Sequence, residues 1–207
     1  MEISLSSSAS TGKAPRTARG EKTLARILDA ARLEFGEKGF AESSIVSITG
    51  RATVALGTFY TYFDSKEDLF TALVRDMSNR VREAVAPVLQ DAEDALDGER
   101  RALAEYLRFV KSHREVYRII DEAQFVNPEA FRTHYVTTAE RISSRLLSGA
   151  ERAEVSESGE FGREVAAWAV MGMNVFLGIR FGVWGDENVE VVAAEASRLL
   201  RNGLSAT

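Results

Sequence analysis

Apolar residues recur at the 3.6-residue spacing of a helix along most of the 207-residue chain, and no run alternates apolar and polar residues for long enough to form a strand. The first clear example places Leu24, Ile27, Leu28, Ala31 and Phe35 on one helical face. Hydrophobic residues make up 45% of the chain and charged residues 28%, a composition that supports a buried core. The sequence therefore predicts an all-α fold of about nine helices.

Residue types that support several kinds of chemistry are scarce or absent. The chain has no cysteine, which excludes disulfides, thiolate metal sites and cysteine nucleophiles, and it has only two histidines. It contains no HExxH spacing, phosphate loop or nucleophile elbow. His113 and His134 with the Asp121–Glu122 pair could be arranged for acid/base chemistry, but surface ion pairs explain these acids more simply. We expect no metal, no cofactor and no enzymatic activity.

The N-terminal 20 residues are rich in Ser, Thr, Lys and Arg and contain no apolar stretch of the kind found in a secretory signal. We interpret residues 1–20 as a mobile basic arm and predict a cytoplasmic location. The longest uncharged stretch, residues 165–179, has 15 residues, fewer than the roughly 18 to 20 that span a membrane. We predict a buried helix there and no membrane partner.

Start and stop signals divide the chain into helices. Ser44 is placed to cap a short second helix, Asn127–Pro128 opens a later one, and Gly39 stands where the first helix should stop. The Asp64–Glu67 segment is a capping-box variant that opens a long helix, which Pro87 should end or kink. The predicted helices cover residues 22–38, 44–52, 56–63, 64–87, 99–111, 115–125, 128–149, 161–182 and 188–202.

The two short helices that follow the first one match the plan of a helix-turn-helix, whose second short helix enters the major groove of DNA. Phe59 and Phe63, four residues apart on that helix, can pack inward. Its other residues then turn outward to different degrees: Leu56, Gly57, Thr58, Tyr60, Thr61 and Tyr62. Residues 1–66 contain nine basic and seven acidic residues, whereas the remainder contains 17 and 24, so the N-terminal third is better able to approach phosphate.

An ordered set of residues runs through this region: Ile27-Leu28-Asp29-Ala30-Ala31, Phe35, Gly39-Phe40, Ser44-Ile45, Ile48, Gly57-Thr58-Phe59-Tyr60, Phe63, Ser65-Lys66-Glu67 and Leu69. It resembles the TetR family of one-component bacterial transcription regulators over about residues 22–70. The resemblance implies a DNA-binding domain at residues 21–66 and a helical ligand-binding and dimerisation domain at residues 67–207. It also implies a repressor that binds a near-palindromic duplex operator as a homodimer and is released by a small ligand.

The resemblance further implies roles for individual residues. Phosphate contacts are expected from Ser44, Thr58, Tyr60, Tyr62 and Lys66, and positions near the bases from Ser47, Leu56 and Gly57. No Arg, Asn or Gln lies within residues 56–63, so we expect thymine-methyl contacts and shape reading rather than bidentate base recognition. Arg16 and Arg19 are candidates for an A·T-rich minor groove, with a solubilising tail as the alternative.

Three positions depart from the pattern of the family. Thr53 stands where the family usually has a turn glycine, Ala55 where it has a serine, and Thr49 where it tends to have alanine. A residue with a Cβ is strained by roughly 1 to 2 kcal/mol in the left-handed region. We therefore expect the turn to avoid that conformation and Thr53 to take over part of the capping. A helical ligand-binding or interaction protein that does not bind DNA is an alternative.

The larger domain is expected to enclose a ligand and to pair with a second copy. Candidate ligand contacts are Phe109, His113, Tyr117, Phe125, Phe131, Tyr135, Trp168 and Met171, with His113, Gln124, His134 and Asn174 as polar anchors. They suit a hydrophobic or aromatic ligand, including one derived from a fatty acid. By resemblance, the last two helices form a four-helix interface with a second subunit, where Gly172 and Gly178 permit close approach.

Overall fold

The computed structural model describes Lys13, Pro15, residues 17–151 and residues 159–204. These residues form nine α-helices and no strand, which confirms the predicted all-α fold. The helices are α1 Ala18–Glu42, α2 Ile45–Ala52, α3 Leu56–Tyr62, α4 Lys66–Gln90, α5 Ala95–Ser112, α6 Glu115–Val126, α7 Pro128–Glu151, α8 Glu160–Leu177 and α9 Val189–Asn202. A π-helical segment, Gly178–Val183, continues directly from α8.

The chain divides into two compact units. The first comprises Met1–Asp76 and Arg118–Ala130, and the second comprises Met77–Tyr117 and Phe131–Thr207. The first unit contains α1 to α3 and also most of α6, so it is larger than the predicted DNA-binding domain. The division of function at residue 66 stays a prediction.

The first helix begins at Ala18, four residues before its predicted start. The Thr17 hydroxyl caps it by accepting a hydrogen bond from the Gly20 amide at 3.1 Å. The Gly20 carbonyl in turn accepts a hydrogen bond from the Tyr62 hydroxyl at 3.1 Å. The prediction of a mobile arm is therefore wrong for its last three residues, while most of the predicted arm lies outside the described residues.

A glycine interrupts α1 at the predicted stop. Gly39 has φ 83° and ψ 170°, so the regular part of the helix ends at Lys38, before a last short turn. Glycine adopts such a conformation with little strain. A Cβ on Gly39 would also collide with the Glu122 carboxylate and the Arg118 guanidinium of α6. Backbone conformation and packing thus both restrict this position to glycine.

Aromatic side chains form much of the core of the first unit. Phe70 packs edge-on against Phe35 and Phe40, with ring centroids 5.2 Å apart in each pair. Phe59 and Phe63 are buried, with their ring centroids 5.6 Å apart. The inward orientation predicted for Phe59 and Phe63 is therefore confirmed, and these rings hold α3 against the core.

The turn between α2 and α3 adopts the left-handed conformation that we expected it to avoid. Thr53 has φ 54° and ψ 48°. Its amide donates to the Gly50 carbonyl at 3.1 Å, and the Val54 amide donates to the Thr49 carbonyl at 3.0 Å. This is the hydrogen-bond pattern of a Schellman motif, with threonine in the position that glycine usually occupies.

Hydrogen bonds from α1 hold this turn in place. Arg26 donates to the carbonyl oxygens of Ala52 and Thr53, at 2.5 and 2.9 Å. Ala55 precedes α3 and supplies no side-chain cap, so the expectation that Thr53 shares the capping is also wrong. The turn therefore keeps its shape through the Schellman bonds and the Arg26 side chain.

Replacing Thr53 by glycine should stabilise the protein by about 1 kcal/mol, because it removes the strain of a β-branched residue in the left-handed region. The greater freedom of glycine in the unfolded chain offsets part of this gain. The urea midpoint of unfolding, followed by circular dichroism, measures the change. Thr53→Ala is the matched control and should give no such gain, because alanine retains the strain. A midpoint for Thr53→Gly no higher than that of the original protein would contradict this account.

The fourth helix differs from its prediction at both ends. Its cap is Ser65 rather than Asp64, since the Ser65 hydroxyl accepts a hydrogen bond from the Asp68 amide at 3.0 Å. Pro87 lies inside the helix, which continues to Gln90. The prediction that Pro87 could end the helix is therefore wrong.

Caps also set the starts of α5 and α7. The Asp94 carboxylate accepts a hydrogen bond from the Asp97 amide at 2.7 Å, so α5 begins four residues earlier than predicted. Asn127 accepts a hydrogen bond from the Ala130 amide at 3.0 Å, which confirms the predicted start of α7. A local side-chain cap thus decides each of these boundaries.

Two apolar clusters organise the second unit. One joins α5 to α9 through residues such as Leu107 and Ala193, which are fully buried. The other joins α7 to α8 through residues such as Ile142 and Val170. Together these clusters bury one side of α8 and one side of α9, and the opposite sides of both helices are exposed.

Candidate nucleic-acid interface

One stripe of α3 faces solvent. Leu56 is 46% exposed and Tyr60 49% exposed, and Gly57 and Thr61 are exposed beside them. These positions are spaced i, i+1, i+4 and i+5, which places them on one side of the helix, opposite the buried Phe59. A Cβ on Gly57 would meet no atom within 4 Å. The outward stripe predicted from the sequence is present at these four positions.

A pair of serine hydroxyls marks the start of α2. The Ser44 hydroxyl accepts a hydrogen bond from the Ser47 amide at 3.0 Å, and the two hydroxyl oxygens lie 3.0 Å apart. The structure thus confirms the predicted Ser44 cap and adds Ser47 as the second member of a capping box. Val46, between them, is 68% exposed and so belongs to the same outward surface. The sequence did not identify Val46 as a surface position, because an exposed valine carries no distinctive signal.

Tyr62 does not face outward as predicted. Its side chain is buried, its hydroxyl donates to the Gly20 carbonyl, and its own carbonyl accepts a hydrogen bond from the Lys13 amide at 2.9 Å. Tyr62 therefore joins α3 to the N-terminal segment, and its use as a direct phosphate contact loses support. Thr58, also a predicted phosphate contact, is half-buried near the start of α3.

Lys66 has bonds that its predicted role did not include. Its ammonium donates to the carbonyl oxygens of Phe40 and Ser43, both at 2.8 Å, and lies 4.3 Å from the centre of the Phe40 ring. These contacts place the charge at the C-terminal end of α1, where a cation is favourable. Two of its three N–H groups are occupied by carbonyls, so its main contact is structural.

Ion pairs occupy the charged side chains between α1 and α2. Arg51 pairs with Glu37 at 2.5 Å and with Glu34 at 3.1 Å. Glu34 is almost fully buried, yet the hydrogen bond from Lys38 keeps the pKa of its carboxyl below the ordinary value. This network ties α2 to α1 and engages Arg51 within the protein.

Two exposed cations remain near the N-terminal end of α1. The side-chain cations of Arg19 and Lys22 have no hydrogen-bond or ion-pair partner among the described residues, whereas Lys13 pairs with Asp64 at 3.0 Å. The bond between Tyr62 and Gly20 brings this end of α1 next to the end of α3. Sequence reasoning placed Arg19 in a mobile arm and did not single out Lys22; Arg16 lies outside the described residues.

The sequence and fold of this chain are similar to those of known proteins. The family model of bacterial regulatory proteins of the tetR family matches residues 27–73. The chain is 27% identical over 190 residues to the HTH-type transcriptional regulator YdgC of Bacillus subtilis (strain 168), covering 90% of this chain and 94% of that protein. A TetR-like transcriptional regulator from Rhodococcus sp. RHA1 aligns with a TM-score of 0.69 at 26% identity, covering 94% of this chain and 100% of that one. This chain belongs to the TetR family.

The TetR-family fold extends over both units. The FadR regulator of Bacillus subtilis, whose crystal structure contains stearoyl-CoA, aligns with a TM-score of 0.74 at 17% identity and covers 87% of this chain. At that identity the likeness establishes the fold alone. The protein is a transcriptional regulator, and α2, the Thr53 turn and α3 form its helix-turn-helix.

The matched family and relatives are transcriptional regulators and not enzymes. Glu122, one of the two acids considered for acid/base chemistry, has a structural role, because its carboxylate accepts a hydrogen bond from the Phe40 amide at 2.7 Å. Within the part of the chain that the structure describes, no group of three or more His, Cys, Asp or Glu could hold a metal ion.

The candidate ligand contacts of this TetR-family regulator do not all lie together. Phe109 and Met171 are buried in the second unit, and His113, Tyr117, Phe131 and Tyr135 are half-buried there. Phe125 belongs to the first unit and is 82% exposed, and Trp168 is 42% exposed. The prediction that Phe125 and Trp168 line an internal cavity is therefore wrong, as is that of Gln124 as an anchor, since it too is exposed in the first unit.

A pair of tyrosines occupies the interior of the second unit. The Tyr117 hydroxyl donates to the Val175 carbonyl at 2.8 Å and lies 2.7 Å from the Tyr106 hydroxyl, which completes a short hydrogen-bonded chain. Burial raises the pKa of Tyr106 to about 12 and raises that of Tyr117 still further. The polar anchors expected from the sequence did not include the Tyr106 hydroxyl, which lies in this hydrogen-bonded chain.

Gly178 faces this tyrosine pair and not a second subunit. A Cβ on Gly178 would overlap the Tyr117 hydroxyl and approach the Tyr106 ring. The expectation that Gly178 permits close approach of a partner helix is therefore wrong. Gly172 differs, because a Cβ there would meet no atom within 4 Å.

The two histidines have different surroundings. His113 ends α5, with its Nδ1 atom 3.0 Å from the Phe109 carbonyl oxygen and its ring stacked on Phe109. His134 lies on α7, with its Nδ1 atom 2.5 Å from the Ser78 hydroxyl of α4. Burial, and then the nearby Arg141 cation, lower the pKa of His134 to about 4. His134 is therefore a neutral polar group at neutral pH.

The outward sides of α8 and α9 are strongly apolar. Exposed large side chains follow both helices and the π-helical segment: Phe161, Val165, Trp168, Phe176, Trp184, Val191 and Leu199. By length and composition the 24-residue stretch Glu160–Val183 could cross a membrane, and only 28% of its most apolar part is buried. One chain alone therefore does not provide the burial that we predicted for this helix. A single apolar helix of this length also occurs where a soluble protein covers it with another chain.

The stability of the protein should fall as the pH is lowered through the range in which only the unfolded chain protonates His134. That range runs from about 6.5, the pKa in the unfolded chain, down to about 4, the pKa in the folded protein. The loss attributable to His134 between pH 7 and pH 5 should be about 2 kcal/mol. Urea unfolding at both pH values measures it, and His134→Asn should remove that part of the dependence.

His113→Asn is the matched control, since it replaces the other histidine, and it should retain the pH dependence. Although burial raises the pKa of Asp97, hydrogen bonds from Arg101 and Arg100 outweigh burial and lower this pKa to about 2. This carboxyl therefore stays ionised in the folded protein between pH 7 and pH 5. An unchanged pH dependence in His134→Asn would contradict the assignment to His134.

Proposed function

We propose that this TetR-family regulator is a cytoplasmic repressor that binds a near-palindromic operator as a homodimer and is released by a small hydrophobic ligand. The observation that carries the proposal is the open stripe of α3, from Leu56 to Thr61, with unobstructed space at Gly57. In a helix-turn-helix, this is the side that enters the major groove. Residues 21–66 would be the DNA-binding domain and residues 67–207 the ligand-binding and dimerisation domain.

The proposed contact with DNA depends on hydroxyls and backbone more than on paired charges. Ser44, Thr58 and Tyr60 would donate to phosphate oxygens, and Leu56 and Gly57, with Ser47 nearby, would approach the bases. Apolar contact with thymine methyl groups suits Leu56. The exposed cations Arg19 and Lys22 would add the electrostatic attraction that the engaged Arg51 and Lys66 do not supply.

The non-DNA-binding alternative loses its basis in the turn. It was motivated by Thr53 and Ala55, which depart from the family pattern at the turn. The turn nevertheless closes through the Schellman bonds and Arg26, so α3 is held without the usual glycine and serine. We therefore keep DNA binding as the proposed function.

The apolar sides of α8 and α9 support the proposed homodimer. A large exposed apolar face marks an interaction site, and we propose that a second copy of this chain covers this one. Two copies related by a two-fold axis can cover this face with its own equivalent, which gives a four-helix interface. Such a dimer would present two α3 helices to half-sites about 34 to 36 Å apart.

The half-buried aromatic residues of the second unit support a hydrophobic ligand. Tyr117, Phe131 and Tyr135 have apolar bodies with polar neighbours, a combination that suits binding of small molecules. The related fold of FadR holds stearoyl-CoA in its crystal structure, so a ligand derived from a fatty acid is one candidate class. A ligand would release DNA if it bound more tightly to a conformation with wrongly spaced α3 helices.

Binding to fragments of the neighbouring promoter should weaken steeply as salt is raised, because each phosphate contact releases counterions. Gly57→Leu should weaken binding by about tenfold or more, because its side chain would occupy the open space through which the helix approaches the groove. Fluorescence anisotropy at several salt concentrations measures both effects.

Gly50→Leu is the matched control for DNA binding. A Cβ on Gly50 would also meet no atom within 4 Å, and Gly50 lies at the opposite end of α2 from Ser44. This variant should bind DNA as the original protein does. Binding that does not depend on salt, or a Gly57→Leu variant with unchanged affinity, would contradict the proposed interface.

Phe176→Glu should convert the dimer into monomers of 22.8 kDa, because it places charges in the centre of the proposed interface. Phe176 is 73% exposed within one chain, so the fold of the monomer should persist. Light scattering after gel filtration measures the mass. Phe125→Glu is the matched control, since Phe125 is 82% exposed but lies in the first unit. A dimeric Phe176→Glu variant would exclude this face as the interface.

A further inference from the structure

One side of α7 carries a row of polar and cationic residues. His134, Arg141 and Arg145 are spaced i, i+7 and i+11, which places them on one helical face. His134 contacts Ser78 of α4, and Arg145 donates to both carboxylate oxygens of Glu99 of α5, at 2.6 and 3.1 Å. The row therefore faces α4 and α5 within the second unit.

Arg141 has no partner in this row. The residue is half-buried, and its guanidinium makes no hydrogen bond or ion pair with any residue that the structure describes. The neighbouring Arg145 is held by the buried Glu99, whose side chain is 2% exposed. Arg82 of α4 has only the exposed Glu83, at 3.8 Å, as an acidic partner among the described residues. The Arg141 guanidinium fork, with its five N–H donors, is thus left without an acceptor from the described part of the protein.

The surroundings of Arg141 are unfavourable for a cation. Partial burial lowers its pKa first, and the positive charges of Arg82 and Arg145 lower it further. Glu140, the adjacent exposed acid, offsets this only in part. Burial of a charge is costly unless a partner of opposite charge joins it, so the partial burial of Arg141 favours an anionic partner.

Aromatic side chains lie along the same helix on the N-terminal side of Arg141. The Phe131 and Tyr135 rings pack edge-on at 4.9 Å, and the His134 ring lies 5.0 Å from that of Tyr135. His134 and Arg141 are seven residues apart, which corresponds to about 10 Å along the helix. An apolar and aromatic region is therefore followed by a guanidinium with open donors.

We infer that the ligand is an amphipathic anion, whose carboxylate or phosphate oxygens are bound by Arg141 with Arg82 while its apolar part lies along Phe131 and Tyr135. Arginine suits this role because its planar fork matches both kinds of oxyanion in a bidentate geometry. The inference rests on the proposed function in so far as it names the class of the releasing ligand. It adds the charge of the ligand and the residue that selects it.

The test compares four probes with the same twelve-carbon tail and different head groups, each below its micelle concentration. They are dodecanoate, dodecyl phosphate, dodecanol and dodecyltrimethylammonium, titrated into the full chain and followed by tryptophan fluorescence or calorimetry. At least one anionic probe should bind about 10- to 100-fold more tightly than dodecanol, the range expected for hydrogen bonds to charged groups. The two anionic probes distinguish a carboxylate from a phosphate ligand.

Arg141→Leu should bring the affinity for the anionic probe down to that for dodecanol and leave dodecanol binding unchanged. Arg141→Lys, which keeps the charge without the planar fork, should give an intermediate loss and guards against a folding defect in Arg141→Leu. Arg132→Leu is the matched control, since Arg132 is an exposed arginine on the same helix. It should bind all four probes as the original protein does.

The inference would be overturned if neither anionic probe bound more tightly than dodecanol, or if anion binding were unchanged in Arg141→Leu. DNA binding of the same proteins without probe is measured in parallel. Salt-dependent DNA binding without anion selectivity would remove the inference and leave the regulator. Anion selectivity lost in Arg141→Leu, with no DNA binding by any variant, would support this site and remove the proposed repressor.

Discussion

The placement of α3, the helix proposed to enter the major groove, depends on a single turn that the chain holds in an unfavourable conformation. Thr53 adopts left-handed backbone angles, and the two carbonyl oxygens of the turn accept hydrogen bonds from Arg26. The buried rings of Phe59 and Phe63 then fix the rotation of α3 about its axis. Because these constraints act together, the stripe from Leu56 to Thr61 is presented outward even though the turn lacks glycine.

Charged side chains around the helix-turn-helix are used mainly to hold it together. The network around Glu34 ties α2 to α1, and Lys66 bonds to the carbonyl oxygens of Phe40 and Ser43 at the end of α1. Glu122 and Arg118 of α6 contact the segment of α1 around Gly39. The first unit is therefore a helix-turn-helix with a supporting helix from later in the chain.

The second unit combines an apolar exterior face with polar groups inside. The exposed aromatic residues of α8 present a large apolar surface to water. Symmetric pairing of two copies would cover this surface. Inside, the Tyr106–Tyr117 pair satisfies the Val175 carbonyl, and His134 and Ser78 satisfy each other. Arg141 differs from these groups because the described part of the protein offers its guanidinium no acceptor. For this reason Arg141 is a candidate ligand-binding group, whereas the other polar groups form structural pairs.

The sequence by itself determined the helical class, most helix boundaries and the identity of the helix-turn-helix, because these depend on local periodicity and capping residues. Gly39 and Asn127 acted at the positions predicted for them. The tertiary structure alone decided which side chains face each other. It buried Tyr62, turned Gly178 towards Tyr117, and exposed Phe125 and Trp168. Spacing along a helix identifies a shared face but not what that face meets, since the partner comes from distant parts of the chain.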